Sequence, residues 1–91
     1  MTMQRRLYHF AGRVQGVGFR YTVKNIVMQY NVQGYVKNLP DGRVELVMEG
    51  PEEDLDQILQ EIKLRMNGFI HHVDLNTSPA TGEFAHFSIK H

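Results

Sequence analysis

Apolar residues in this chain recur at every second position over some stretches and with the period of an α-helix over two others. A period of two is typical of a strand with one buried face, and a period near 3.6 is typical of a helix with one buried stripe. The strand-like stretches are residues 7–11, 32–38, 43–49, 69–77 and 83–90, and the helical stretches begin at Phe19 and near Pro51. The predicted order of elements is therefore βαββαβ followed by a short closing strand.

This order predicts a fold class. Two helices that each carry one apolar stripe can cover one face of an antiparallel sheet, which is the ferredoxin-like (split βαβ) arrangement of the α+β class. A chain of 91 residues without repeats or linkers is short for more than one core, so a single domain over residues 1–91 is expected. Enzymes, regulatory domains and RNA-binding modules all use this fold, so the fold alone does not identify a function.

Individual residue types predict how the elements end and which way they face. The segment 39–42 reads Leu-Pro-Asp-Gly between two strand-like stretches, and its proline, aspartate and glycine favour a hairpin turn. In the second strand of this hairpin, alternate apolar residues are expected to face the core, while Arg43, Glu45 and Glu49 are expected to face water. Asn31 is expected to end the first helix in the left-handed conformation.

Composition removes several classes of function. The chain has no cysteine, which excludes disulfide frameworks, thiolate nucleophiles, iron–sulfur clusters and cysteine-ligated zinc. It contains no apolar run long enough to cross a membrane, and residues 1–13 lack the apolar run of a signal peptide. A cytoplasmic protein without a membrane partner is therefore expected.

The charges are balanced in number but unevenly distributed. Residues 1–40 contain six bases and no acid, and residues 41–91 contain four bases and all ten acids. Positive charge without nearby counterions can attract an anionic ligand. The same distribution also arises when the two parts attract one another across the fold, and charge alone favours this second interpretation.

The stretch from Gly12 to Arg20 is a glycine-rich connection between a strand and a helix. Such a connection exposes consecutive backbone N–H groups and the positive end of the helix, so it can surround a phosphate or carboxylate. Gly16 and Gly18 carry no Cβ atom that would block close approach, and Arg20 can add a planar pair of donors. A tight turn with a surface arginine is the alternative, and spacing alone leaves both open.

Asn38 is a second candidate, at the end of a strand just before the hairpin turn. Its amide has a donor and an acceptor and could therefore hold and steer a water molecule. Local sequence alone favours a turn-capping asparagine instead. The five histidines show no ligand spacing, because His71 and His72 are adjacent and point to opposite faces of a strand. No metal site is expected.

Both candidates fall within motifs of a known family. Residues Gly12 to Arg20 resemble the acylphosphatase signature, which runs Gly, Arg or Lys, Val, Gln, Gly, Val, any residue, Phe or Tyr, Arg, and every position matches. A second acylphosphatase signature is similarly matched further along the chain. Its matching residues are Gly34, Tyr35, Val36, Lys37, Asn38, Gly42, Val44 and Gly50. Two motifs in the correct order and spacing identify the chain as a member of this family over nearly its whole length.

The resemblance implies hydrolysis of the carboxyl–phosphate bond of small acyl phosphates, which yields a carboxylate and inorganic phosphate. It implies that Arg20 binds the phosphoryl group and that Asn38 positions the attacking water. Backbone N–H groups are expected to complete the substrate-binding cradle, and they belong to Gln15, Gly16, Val17, Gly18 and Phe19. The expected enzyme is a monomer that uses no metal and no cofactor.

Two other classes of function stay open. A nucleic-acid-binding domain on this fold would need exposed aromatic residues on two central strands, but residues 43–49 contain none, and Tyr8 and Phe10 alone do not suffice. The other class is a non-catalytic acyl-phosphate or anion-binding regulatory domain, including one similar to the acylphosphatase-like segment of carbamoyl-phosphate-using maturation proteins. The presence of both Arg20 and Asn38 favours turnover.

Overall fold

The computed structural model describes residues 2–91, which form five strands and two helices. In chain order these are β1 (Met3–Gly12), α1 (Phe19–Val27), β2 (Gln33–Asn38), β3 (Val44–Pro51), α2 (Glu52–Arg65), β4 (Ile70–Pro79) and β5 (Phe87–Lys90). The order of elements is the predicted one, and the ferredoxin-like α+β class is confirmed. The closing strand is shorter than expected, because only its last four residues pair with the sheet.

The strands form one sheet in the order β4-β1-β3-β2-β5. β3 pairs antiparallel with β1 and β2, and β4 pairs antiparallel with β1. β5 pairs parallel with β2. The sheet is therefore mixed, which corrects the expectation of a wholly antiparallel sheet. The reason lies in the preceding connection. β4 ends at Pro79 opposite Gln4, at the edge where β2 also begins, so a closing strand that starts at this edge runs in the direction of β2.

Both helices pack on one face of this sheet and bury a single apolar core. Tyr8 and Phe10 of β1 are fully buried, and the Phe10 ring lies 5.1 Å from that of Phe19, centroid to centroid, at the start of α1. The other fully buried large side chains are Ile26, Leu46, Met48, Leu55, Ile58 and Ile62. Since Tyr8 and Phe10 point into this core, neither can stack on a nucleic-acid base.

The opposite face of the sheet is partly covered, which corrects the expectation that Glu45 and Glu49 face water. Glu49 is only 4% exposed and accepts hydrogen bonds from the backbone N–H groups of Thr81 (3.0 Å) and Gly82 (2.8 Å). Glu45 is half-buried and accepts a 2.7 Å bond from the Tyr35 hydroxyl. The alternation of the strand is as predicted, but the segment between β4 and β5 crosses this face and covers Glu49.

The uneven charge distribution is explained in part by pairing across the fold. Arg5 pairs with Glu49 at 2.9 Å and also with Glu83, and Arg6 pairs with Asp56. Two bases of the first 40 residues therefore meet acids of the second part. Within residues 2–91, no ion pair joins Arg20 to an acid.

The first helix ends differently from the prediction. α1 ends at Val27, and Met28 caps it in a right-handed conformation. The chain then leaves through two tight turns, in which Gln29 and Tyr30 donate to the carbonyl oxygens of Ile26 and Val27. Among residues 2–91 only glycines have positive φ, so the left-handed conformation expected of Asn31 is wrong. Turns of the 3₁₀ type, closed by bonds between residues three positions apart, replace it at this helix end. Neither helix in the described part has the length and apolar character needed to cross a membrane.

Candidate active site

Three strand ends meet at one edge of the sheet. β1 and β2 each pair antiparallel with β3, so they run in the same direction, and β5 runs parallel to β2. The last residues of these strands, Gly12, Asn38 and Lys90, therefore lie at a common edge. The loop that follows Gly12 leads into α1 at the same edge. Residues that are far apart in the sequence are thereby gathered around the start of one helix.

The loop between β1 and α1 is held at both ends and shaped by two glycines. Arg13 donates its N–H to the Phe69 carbonyl at 2.8 Å, and Val14 is fully buried. Gly16 and Gly18 both have a φ of 76°, a left-handed conformation that side chains other than glycine adopt at a cost. Gly18 is also the N-cap of α1, so this conformation sets the direction in which the helix begins.

The loop leaves its backbone donors free. Within residues 2–91, no N–H group of residues 15–19 donates to a backbone or side-chain acceptor. The first N–H groups of an α-helix have no partner within the helix, and they carry the positive end of its dipole. A set of free donors at such a position attracts an anion.

Arg20 lies in the first turn of α1, beside these donors. Its Nη1 atom is 3.4 Å from the Lys90 carbonyl oxygen and 3.2 Å from Nδ1 of His91. Both contacts come from β5 and the residue after it, whose position beside Arg20 depends on strand pairing and is not visible in the local sequence. The planar guanidinium of Arg20 has several N–H donors in a fixed geometry that matches phosphate oxygens.

Asn38 ends β2 and is half-buried. Its Oδ1 atom is buried and accepts no hydrogen bond from residues 2–91. A buried polar atom without a partner is uncommon in folded proteins, because it has lost its hydration without compensation. The atom is therefore suited to accept a hydrogen bond from a small donor such as water.

A small cavity joins these groups. Its volume is about 90 Å³, and it is lined by Val14, Gly16, Gly18, Phe19, Arg20, Tyr21 and Asn38. Five of the seven residues predicted for the site line it, whereas Gln15 and Val17 do not. Val17 packs against the core, and the Gln15 side chain bonds to the β2–β3 turn. No lining residue is acidic, so the electrostatic character of the cavity comes from Arg20 and the peptide dipoles.

Tyr21 also lines the cavity, although no sequence motif pointed to it. The residue is 59% exposed. In the sequence, its position directly after Arg20 was the one feature that could have indicated a place at the site. An exposed aromatic residue on a helix is common, so that signal was weak.

A larger cavity lies elsewhere, between the end of α2 and β4. Its volume is about 410 Å³, and its lining consists of Lys63, Asn67, Ile70, His71, His72 and Val73. The lining is mostly exposed and holds no buried, unpartnered polar atom among those described. Within residues 2–91, no group of three or more His, Cys, Asp or Glu side chains is arranged to hold a metal ion. Arg20 and Asn38, the two side chains selected from the sequence, both line the smaller cavity.

The chain matches the family model for acylphosphatase over residues 7–89. It is 42% identical to an acylphosphatase of Lactobacillus gasseri over 80 residues, which are 86% of this chain and 88% of that relative. It is also 52% identical to an acylphosphatase of Bacillus velezensis over 58 residues, which are 62% of this chain and 64% of that relative.

Solved structures agree with this match. The crystal structure of acylphosphatase from Bacillus subtilis superposes with a TM-score of 0.84 and 36% identity, over 99% of this chain and 100% of that chain. Full-length HypF, in a phosphate- and nucleotide-bound form, gives a TM-score of 0.84 and 30% identity over 99% of this chain and 12% of that chain. The chain thus corresponds to the whole of the first protein and to a small part of the second.

Proposed function

The chain belongs to the acylphosphatase family, and from this premise we propose which of its residues perform the hydrolysis. As an acylphosphatase it acts on small acyl phosphates and releases inorganic phosphate. We propose that Arg20 and the backbone N–H groups of residues 15–19 bind the phosphoryl group and that Asn38 positions the attacking water. The observation that carries the proposal is that Arg20 and Asn38 line one cavity of about 90 Å³ beneath a loop with free N–H groups.

Arg20 supplies the positive charge. During phosphoryl transfer, charge is spread over the three equatorial oxygens of the transferred group, and fixed donors around them lower the barrier. A guanidinium can donate two parallel hydrogen bonds to such oxygens. Contacts with the Lys90 carbonyl and His91 hold the arginine side chain at the cavity edge. Arg20 is therefore oriented before substrate arrives.

Asn38 positions the nucleophile, which is a water molecule. Its unpartnered Oδ1 can accept a hydrogen bond from water, which leaves an oxygen lone pair free to attack phosphorus. The new bond forms between the water oxygen and phosphorus, and the bond between phosphorus and the acyl oxygen breaks. The carboxylate leaves with the electron pair, and the protons of the water go to phosphate and solvent.

The leaving group explains why so few side chains are needed. Carboxylic acids have a pKa of about 4, so the departing carboxylate is stable without protonation. No strong general acid is therefore required. Arg20 and the N–H groups provide the charge compensation that a metal ion provides in other phosphoryl-transfer sites. We therefore propose that hydrolysis is independent of metal ions and cofactors.

The size of the cavity bears on substrate range. Pockets that enclose whole organic ligands have volumes of roughly 300 Å³ or more, and this cavity has about 90 Å³. The phosphoryl group fits inside, and the acyl part extends past Tyr21 toward solvent. We therefore propose weak discrimination among acyl groups.

The test is phosphate release from acetyl phosphate and benzoyl phosphate in the presence of a chelator. We expect chelator-resistant turnover in the wild type and a loss on the order of a hundredfold in kcat/KM for Arg20→Ala, which corresponds to about 3 kcal/mol. Arg65→Ala is the matched control, because Arg65 is exposed in the last turn of α2. Near-normal turnover by Arg20→Ala would remove its assigned role.

The same assay addresses the regulatory-domain alternative. A wild type that releases no phosphate, yet is protected by phosphate against thermal unfolding, would be an anion-binding domain.

We also propose that residues 1–91 act as one domain and one monomer without a nucleic-acid partner, although residue 1 lies outside the described residues. Light scattering coupled to size-exclusion chromatography tests the monomer.

A further inference from the structure

The side chain of Gln15 makes two hydrogen bonds that the proposed chemistry does not use. Its Nε2 atom donates to the Leu39 carbonyl oxygen at 2.8 Å and to the Arg43 carbonyl oxygen at 2.9 Å. Both protons of the amide nitrogen are thus committed. The Arg43 carbonyl also accepts the 2.8 Å bond from Leu39 N–H that closes the β2–β3 turn. Gln15 is therefore joined to the closing bond of this turn.

These bonds connect the two halves of the proposed site. Gln15 lies in the loop directly before Gly16, and Leu39 directly follows Asn38. Within residues 2–91, no other hydrogen bond joins residues 13–18 to residues 39–43. One side-chain amide therefore forms the hydrogen-bonded link between the phosphate loop and the strand end that carries Asn38.

The loop needs such a link because its other attachments are at its ends. Arg13 is bonded to Phe69, and Gly18 accepts the first helical bond from Thr22. Between them, the glycine backbone is free to adopt many conformations. Without the Gln15 bonds, strand pairing would still place the ends of the loop, but the middle of the loop would be held by the packing of Val14 and Val17.

We propose that the side chain of Gln15 is a positioning residue, which sets the distance between the phosphate-binding loop and the water held by Asn38. This rests on the role proposed above for Asn38. In-line attack requires the water and phosphorus to be aligned, and a displacement of about 1 Å can cost on the order of a hundredfold in rate. Phosphate binding itself should depend little on the Gln15 side chain, because Gln15 does not line the cavity and its proposed contact with phosphate is through the backbone N–H.

The chemistry of glutamine suits this position. Each of the two carbonyl oxygens accepts one bond from the turn backbone and has a second lone pair, and the two protons of one primary amide nitrogen reach both. Methionine has a similar length without a donor, and glutamate would place a negative charge against two carbonyl oxygens. Asparagine keeps the amide but is one methylene shorter.

A double-mutant cycle tests the proposal. We expect Gln15→Met to lower kcat for benzoyl phosphate on the order of tenfold to a hundredfold while the inhibition constant of inorganic phosphate changes less than about threefold. In an Asn38→Ala background the same change should lower kcat less than about twofold, because the water is then no longer positioned. Gln60→Met is the control, since Gln60 is exposed on α2.

Three outcomes would overturn the proposal: additive losses in the double variant, an equal loss of phosphate binding, or wild-type kcat in Gln15→Met. All rates are measured where circular dichroism shows a folded protein. If Gln15→Met does not fold, Gln15→Asn takes its place, with a loss of kcat again expected only when Asn38 is present. The outcomes distinguish failure of the two proposals. If Asn38→Ala retains the wild-type kcat, Asn38 does not have its assigned role. If Asn38→Ala lowers kcat but Gln15→Met does not, only the role of Gln15 is removed.

Discussion

The role proposed for Asn38 depends on a side chain that carries no charge. Its buried Oδ1 has no partner among residues 2–91, and leaving a buried acceptor unpaired costs about 1–3 kcal/mol. The fold tolerates this cost where a bound water supplies the missing donor. A neutral amide also avoids the repulsion that a carboxylate would exert on a phosphoryl anion. This combination favours an asparagine over an aspartate for the proposed role.

We expect Asn38→Ala to lower kcat on the order of a hundredfold, because the attacking water loses its hydrogen-bonded orientation. Binding of inorganic phosphate should weaken less than about threefold, since the amide acts on the water. Steady-state kinetics with phosphate as product inhibitor measure both. Asn76→Ala is the control, because Asn76 is exposed on β4. Equal losses in kcat and phosphate binding would instead indicate a structural role for the hairpin.

At the level of elements, the loop between β1 and α1 depends on backbone conformation more than on side chains. Gly18 has a φ of 76° and precedes α1, and a Cβ atom added there would meet no atom within 4 Å. Any effect of a substitution therefore comes from backbone strain and not from a clash. Gly68, after α2, has a φ of 92° and similarly open space. The two glycines are a matched pair, one at the site and one remote from it.

We expect Gly18→Ala and Gly68→Ala each to lower the free energy of unfolding by about 1–2 kcal/mol, the cost of a left-handed residue with a Cβ atom. Only Gly18→Ala should also lower kcat/KM, because a relaxed backbone would turn the loop N–H groups and the start of α1. Urea unfolding and benzoyl phosphate hydrolysis measure the two effects. Full activity in Gly18→Ala at the same loss of stability would show that the loop conformation is not required.

Considering the whole molecule, the segment that joins β4 to β5 is tied to the open sheet face through Glu49. Burial by itself raises the pKa of this carboxyl, but hydrogen bonds from Thr81 and Gly82 and the Arg5 guanidinium outweigh it and lower the pKa to about 2. A group whose pKa is lower in the folded state stabilises the fold above its unfolded pKa, and this stability is lost as the pH falls through the folded pKa. The attachment of the β4–β5 segment to the sheet face, which Glu49 provides, therefore depends on pH.

We expect wild-type stability to fall as the pH drops from about 5 to about 2, the range between the unfolded and folded pKa values of Glu49. Glu49→Gln should be less stable than the wild type at pH 7, and the difference should shrink toward pH 2. Urea unfolding at several pH values gives both curves. Glu53→Gln is the control, because Glu53 is exposed on α2. Parallel curves for wild type and Glu49→Gln would contradict this assignment.

Local sequence determined the order of the elements, the hairpin turn at residues 39–42 and the glycine loop before Phe19. Hydrophobic period, turn chemistry and glycine freedom act over a few neighbouring residues, so they can be read from a single chain. The two motifs also determined the family and named Arg20 and Asn38. The prediction for Asn31 was wrong, because the helix ends earlier, in tight turns closed by the N–H groups of Gln29 and Tyr30.

Only the tertiary structure decided which distant residues meet. Strand pairing brings Asn38 to Arg20 across 18 positions of sequence, which the parallel directions of β1, β2 and β5 make possible. Pairing also sends the β4–β5 connection over Glu49 and bonds Gln15 to the turn after Asn38. Such contacts depend on the path of the whole chain and leave no periodic signal at the residues involved. The sequence therefore determined the parts of this protein, and chain topology determined the distances between them.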